Sequence, residues 1–151
     1  MDLSRFKTDT AREDEGVWTT IDASSDAQIR LARIGNRRYR EAMARRLKPY
    51  RRALRAGSLD ESVTERITAE VLAETVLLDW RGLTAGDAPL PYSRETACDL
   101  LLNPAYRDFR DLVVELAGEL DLYRERDLED AEKNSATSCG GSSTGATGST
   151  S

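Results

Sequence analysis

Hydrophobic positions along the chain change their period once. From Gly16 to Ile34 they fall in two short runs rich in β-branched and aromatic residues or alternating in polarity. These are GVWTTID (Gly16–Asp22) and AQIRLARI (Ala27–Ile34), with the turn-forming ASSD between them. That pattern predicts a β-hairpin. Two strands are marginal alone, so helices or further strands must cover one face.

Beyond Gly35 the period becomes helical. Asn36 is placed to cap a helix whose apolar face is Tyr39, Met43, Leu47, Tyr50 and Leu54; Pro49 predicts a kink near Lys48, and Gly57 closes the segment. Ser58 and Glu61 read as a capping box. Val63, Ile67, Val71, Thr75 and Leu78 give the stripe of a helix running to about Trp80. Gly82 and Gly86 end it, and TAGDAPLP reads as a loop. Ser93 caps a helix over Arg94–Leu102, and Asn103-Pro104 opens another, with Tyr106, Phe109, Val113, Leu116, Leu120 and Tyr123 on one face. The predicted fold is α+β, mostly α: an N-terminal β-hairpin packed with four to five helices. Residues 1–13 read as a flexible N-terminus, 14–130 as one domain and 131–151 as a disordered tail. Asn134–Ser151 contains no Leu, Ile, Val or aromatic residue that could offset its ordering entropy.

Charge changes the picture. The net charge is −5, yet Arg30–Arg55 holds eleven Arg or Lys against one acid, Glu41, a local balance of +10 that leaves −15 for the rest. A chain polarised in this way carries one basic element laid against, or pointing away from, acidic ones. No apolar run approaches the ~18 residues of a membrane span, and MDLSRFKTDTARED has no secretory h-region. These features, with two distant cysteines, point to the cytosol and to neither disulfide nor metal.

Candidate chemistry is sparse. The chain has no histidine, which removes the commonest general base and metal ligand. Asp127, Glu129 and Asp130 sit beside Arg124 and Arg126 on a predicted solvated helix end and read as a solubilising face. CGGSSTGATGST has the composition of a phosphate loop without its flanking strand and helix. Cys98 reads as packing. No catalytic, cofactor or metal site is expected. The basic segment is the one candidate for nucleic acid, which is disfavoured because the chain is acidic overall and Tyr39 and Tyr50 lie on the apolar stripe.

Several short pieces stand in a distinctive order. A G-x-W strand (Gly16–Trp18) precedes R-x-G-N-x-x-Y (Arg33–Tyr39), which opens the basic helix. A helix ending V-L-L-D-W-R-G-L (Val76–Leu83) leads through the loop Gly86–Leu90 to P-Y-S (Pro91–Ser93) and D-L-L (Asp99–Leu101). In this order the chain resembles the tail assembly chaperones of long-tailed, siphovirus-type bacteriophages over about residues 14–125. The resemblance implies a non-enzymatic protein of the bacterial host cytoplasm, absent from the mature virion. It implies binding to the tape measure protein and recruitment of tail tube protein. Many members of that family are also made in a longer form by ribosomal frameshifting, and the Ser/Gly/Thr tail would suit the joint of such an extension. Self-association is a further candidate. The rival readings are a nucleic-acid-binding accessory protein using Arg30–Arg55 and a structural neck or tail completion protein.

A carrier of an apolar helix needs apolar grooves on a charged body. Trp80, Leu83, Leu90 and Tyr92 surround the loop and are candidate partner contacts, as are Arg37, Arg38, Arg45, Arg46 and Arg52 on the basic segment. For Trp80 a plug between helices is preferred, since a large aromatic at a junction is usually core. For the arginines, binding and a plain solvated face stand open. Leu120, Leu122 and Leu128 offer an alternative contact on the last helix.

Overall fold

A computed structural model describes residues 1–125. It divides into two units, Thr10–Tyr123 and a terminal unit in which Met1–Asp9 joins Arg124 and Glu125. The first consists of helices around a three-stranded antiparallel sheet and a two-stranded hairpin. In the second, a 3₁₀ turn at Leu3–Phe6 is capped by Asp2, and the Glu125 N–H donates to the Lys7 carbonyl at 2.7 Å. Residues 1–13, read as a flexible terminus, thus hold that turn and the start of helix α1 (Thr10–Glu15). The predicted domain end at 130, the tail, Asp127, Leu128, Glu129 and Asp130 all lie outside the described residues.

The hairpin forms as the alternation predicts, β1 (Val17–Thr20) against β2 (Gln28–Leu31). The sheet gains a third strand that the helical reading missed. Helix α4 (Glu61–Thr75) stops short of Trp80, and Leu77–Arg81 forms β3, pairing antiparallel with β2 so that Ile29 faces Trp80. The reason is tertiary. The β2 backbone is buried between its neighbours, and its second edge needs partners that only another strand supplies. Leu78, assigned to the helical stripe, is half-buried beside the bulge at Arg30/Leu31.

One sheet face, Ile29, Leu31, Leu77 and Trp80, packs on Leu72, Ala73 and Val76 of α4 and its end, Ala97 and Leu101 of α5 (Arg94–Leu102), and Val113 and Ala117 of α6 (Arg107–Ala117). Burying each large aliphatic here stabilises the fold by about 1.5–3 kcal/mol. A satellite cluster of Ala42, Ile67 and Val71 joins α2 (Arg37–Leu47) to α4, with Tyr39, Met43, Leu47, Tyr50 and Val63 at its margin. The helices neighbour one another in the order α2, α4, α5, α6.

Local signals set most boundaries. The Asn36 side chain accepts from the Tyr39 N–H at 2.9 Å, capping α2, and its amide donates to the Arg33 and Thr75 carbonyls. Pro49 sits in a 3₁₀ turn, Lys48–Tyr50, that separates α2 from α3 (Arg51–Ala56). Gly57 ends α3 at φ +67, and the Ser58 N–H closes back on the Ala53 carbonyl at 2.8 Å. With Ser58 thus engaged, Asp60 rather than Ser58 caps α4, accepting from the Ser62 N–H at 3.1 Å. The long last helix also divides. The Ala117 carbonyl accepts from the Ile34 N–H, α6 ends at Gly118, and the short helix α7 (Leu120–Tyr123) turns Tyr123 inward. The Tyr123 hydroxyl donates to the Leu31 carbonyl at 3.0 Å, and burial pushes its pKa far above the ordinary tyrosine value.

Gly82, directly after β3, has φ +78, and a Cβ there would stand 3.1 Å from the Ala27 Cα. A Gly82→Ala protein is expected to lose more than about 1 kcal/mol of stability, read as a lower denaturant midpoint at unchanged m-value.

Candidate functional site

The loop read from TAGDAPLP is a small hairpin, β4 (Thr84–Ala85) against β5 (Ala88–Pro89), turning through Gly86 at φ +63. Gly-Asp between two extended dipeptides is a two-residue hairpin signal. The hairpin is fastened at its base. The Leu90 N–H donates to the Leu83 carbonyl at 2.9 Å. The Trp80 indole N–H donates to the Leu90 carbonyl at 2.7 Å, and the Tyr92 hydroxyl donates to the Leu77 carbonyl at 2.9 Å. The two rings meet edge to face at 4.9 Å between centroids. Desolvation raises the Tyr92 pKa above the ordinary tyrosine value. Trp80, only 4 % exposed, is therefore core, as the preferred reading had it, though it clamps the hairpin from a strand and does not plug a gap between helices.

What the clamp holds in place is open. Leu83 and Leu90, both half-buried, form a wall with an apolar depression on each side. One, about 300 Å³, is lined by Leu83, Thr84, Leu90, Leu100, Tyr106 and Phe109. The other, about 440 Å³, lies over Trp80, Pro89 and Pro91. Tyr106 at the rim is 44 % exposed, a large aromatic left in solvent beside an apolar hollow. The sequence reading found Leu83 and Leu90 but missed Leu100, Tyr106 and Phe109 as the facing wall. Their helical spacing was visible; their meeting with the hairpin is a product of how α5 and α6 pack.

The basic segment sorts into two sides. Facing α4, Arg45 and Arg46 each reach the Glu74 carboxylate at 2.9 Å, Arg46 also reaches Glu70 at 3.3 Å, and Arg38 donates to the Glu74 carbonyl at 3.4 Å. The Arg46 hydrogen bond, with Arg45 assisting, holds the Glu74 carboxyl below the usual glutamate range against the opposing effect of burial. Facing outward are Arg37, 3.8 Å from Glu41, and Arg40, Lys48, Arg51, Arg52 and Arg55, which make no ion pair among the described residues. Arg45 and Arg46 thus serve the fold, while Arg37 and Arg52 remain on the surface. The alternative contact is divided: Leu120 is exposed, Leu122 is half-buried and Leu128 lies outside the described residues.

The model of a known family, described as YdaY prophage protein, matches residues 34–134, well over half the chain. The chain belongs to the YdaY prophage protein family. The match spans the basic helices, the clamp and the groove wall and leaves out the β1–β2 hairpin. No curated protein and no solved structure matches the chain. No helix among the described residues is long and apolar enough to cross a membrane.

Trp80→Ala is expected to cost about 3–5 kcal/mol in denaturant unfolding, the range for emptying a large aromatic site. Glu74→Gln is expected to cost about 1.5 kcal/mol at neutral pH. Because the folded pKa of Glu74 is depressed, its contribution is present above the unfolded value of about 4.3 and disappears as pH falls through the folded value. The stability gap between wild type and Glu74→Gln should therefore close on acidification; a gap constant down to acid pH contradicts the assignment.

Proposed function

We propose that this prophage protein is a tail assembly chaperone that makes and breaks no covalent bond. It binds an apolar helical stretch of the tape measure protein and keeps it in solution, helps recruit tail tube protein, and leaves before the particle is finished. It does this in the host cytoplasm. The observation that carries the reading is the open apolar groove between the clamped β4–β5 hairpin and the α5–α6 side, on a body whose remaining surface is heavily charged. A groove of this kind receives the apolar face of a helix, and a rim aromatic such as Tyr106 supplies an anchor. Membership of a prophage family and the resemblance in motif order support the same conclusion.

A second reading, a nucleic-acid accessory role, is favoured by the outward row Arg40, Lys48, Arg51, Arg52 and Arg55. Retention on duplex DNA that falls steeply with salt would single it out.

Tyr106→Asp places a charge on the groove rim at an exposed position and should leave the melting temperature nearly unchanged. Co-expressed with a tape measure segment, the variant is expected to leave most of that segment in the pellet, whereas wild type holds it in the supernatant. Equal solubility with both, or an insoluble segment with both, overturns the groove assignment.

A further inference from the structure

The outward face of the three-stranded sheet carries a cation that the groove does not use. Strand alternation sends Ile29, Leu31 and Trp80 into the core, so Trp18, Gln28 and Arg81 share the other side. There the Arg81 guanidinium stacks over the Trp18 ring, 4.1 Å from its centroid. Its Nε donates to the Gln28 Oε1 at 2.8 Å, and its Nη2 donates to the same oxygen. Both partners are neutral. Arg81 makes no ion pair among the described residues. Asp79, two residues back on the same face, instead turns its carboxylate to the Trp80 N–H at 2.8 Å. A ring and an amide thus hold the exposed guanidinium in one place without neutralising it, which leaves little rotamer freedom for a partner to remove. The same arginine lines the hollow of about 440 Å³ over Trp80, Pro89 and Pro91, walled by Leu83 and Leu90. An uncompensated cation therefore stands beside an apolar hollow.

We propose that this hollow and Arg81 form a second docking site, for a protein segment that carries a large apolar side chain beside an acidic one. The apolar side chain fills the hollow, and the Asp or Glu carboxylate pairs with the Arg81 guanidinium. Charge complementarity selects this occupant, since a planar, weakly hydrated guanidinium suits a carboxylate at an interface. The anion is a side chain and not a chain terminus. Terminal carboxylates are captured by nests of free backbone N–H groups. Around this hollow Pro89 and Pro91 have none, the Leu90 N–H is given to the Leu83 carbonyl, and the Trp80 N–H to Asp79. Nucleic acid fits less well, because a lone guanidinium offers few phosphate contacts and one face of Trp18 is already taken by Arg81. The site lies across the Leu83–Leu90 wall from the Tyr106 groove and does not rest on the chaperone reading.

Titration of the isotope-labelled full-length chain, followed by NMR, tests it. The chain has two tryptophans, Trp18 and Trp80, so its spectrum shows two indole N–H signals, assigned with Trp18→Phe. The probes are N-acetyl-phenylalanyl-glutamyl amide, its glutaminyl counterpart, and N-acetyl-glutaminyl-phenylalanine with a free terminal carboxylate. The glutamyl probe should shift both signals saturably at millimolar concentration and bind about tenfold more tightly than the glutaminyl one, as a charge-assisted pair contributes. Arg81→Gln should bring these two probes to equal, weak affinity. Gln28→Ala, which frees the guanidinium, should weaken the glutamyl probe alone. Should Arg81→Gln fail to fold, Arg81→Lys keeps the charge without the fork and should narrow the preference. No saturable shift with the glutamyl probe, equal affinity for the glutamyl and glutaminyl probes, or a preference that survives Arg81→Gln would each overturn the proposal. So would tighter binding of the free terminal carboxylate or of inorganic phosphate. Tyr106→Asp should bind the glutamyl probe as wild type does, so a failed groove reading leaves this site standing.

Discussion

The pairing of Leu77–Arg81 with the central strand is the constraint on which the exposed chemistry depends. It turns the Trp80 ring into the core, where its N–H reaches out to the Leu90 carbonyl. The same strand offers the Leu77 carbonyl to Tyr92. Two side-chain donors thereby fix a short Pro-rich segment that has little backbone pairing of its own. Only with that segment fixed do Leu83 and Leu90 stand as a wall opposite Tyr106 and Phe109. A two-stranded β4–β5 hairpin without this anchor would be too small to persist, and the groove would have one side.

Much of the fold was legible because its signals are local. Asn36, Ser93 and Asn103 cap where their short polar side chains predict, and Gly57 takes the left-handed conformation that a helix end calls for. The failures have a common physical origin. Val76–Trp80, apolar except for Asp79, has a length that satisfies both a buried strand and a last helical turn, and only the unpaired edge of β2, about fifty residues away in sequence, decides between them. Ser58 looked like a cap because its part in closing α3 cannot be read from a four-residue motif. The long helix through Tyr123 breaks because an Ile34 N–H claims the Ala117 carbonyl. Half the groove wall was missed for the same reason: Leu100, Tyr106 and Phe109 have the right chemistry, but their meeting with the hairpin is a property of packing.

The arginines illustrate how an acidic helix divides a basic one. Glu70 and Glu74, one turn apart on α4, take up Arg45 and Arg46 and leave the outward cations to the solvent. Both arginines keep solvent contact, Arg45 more than Arg46, so each pair contributes modestly and mainly sets orientation. The pairing adds to the apolar contact that holds the basic segment against α4. It also fixes its rotation, because the α2 face that meets α4 through Ala42 and Met43 must be the one bearing Arg46.

That rotation has a consequence for how surface is divided. With the neutralised arginines inward, the unpaired ones form a single external row, and the acidic residues of α6 form another across the helix layer. The apolar groove lies near neither the middle of the basic row nor its inward face, but beside the hairpin that Trp80 and Tyr92 secure. The groove and the acidic row share α6, which carries both Phe109 and Asp108, but they use different side chains, and the basic row stands on other helices. A partner held in the groove and one held along the basic row would draw on separate residues, so a change at Tyr106 and a change at Arg51 should act independently. Additivity of the two, expected for sites that share no partner, is a property that an undivided sticky surface would lack.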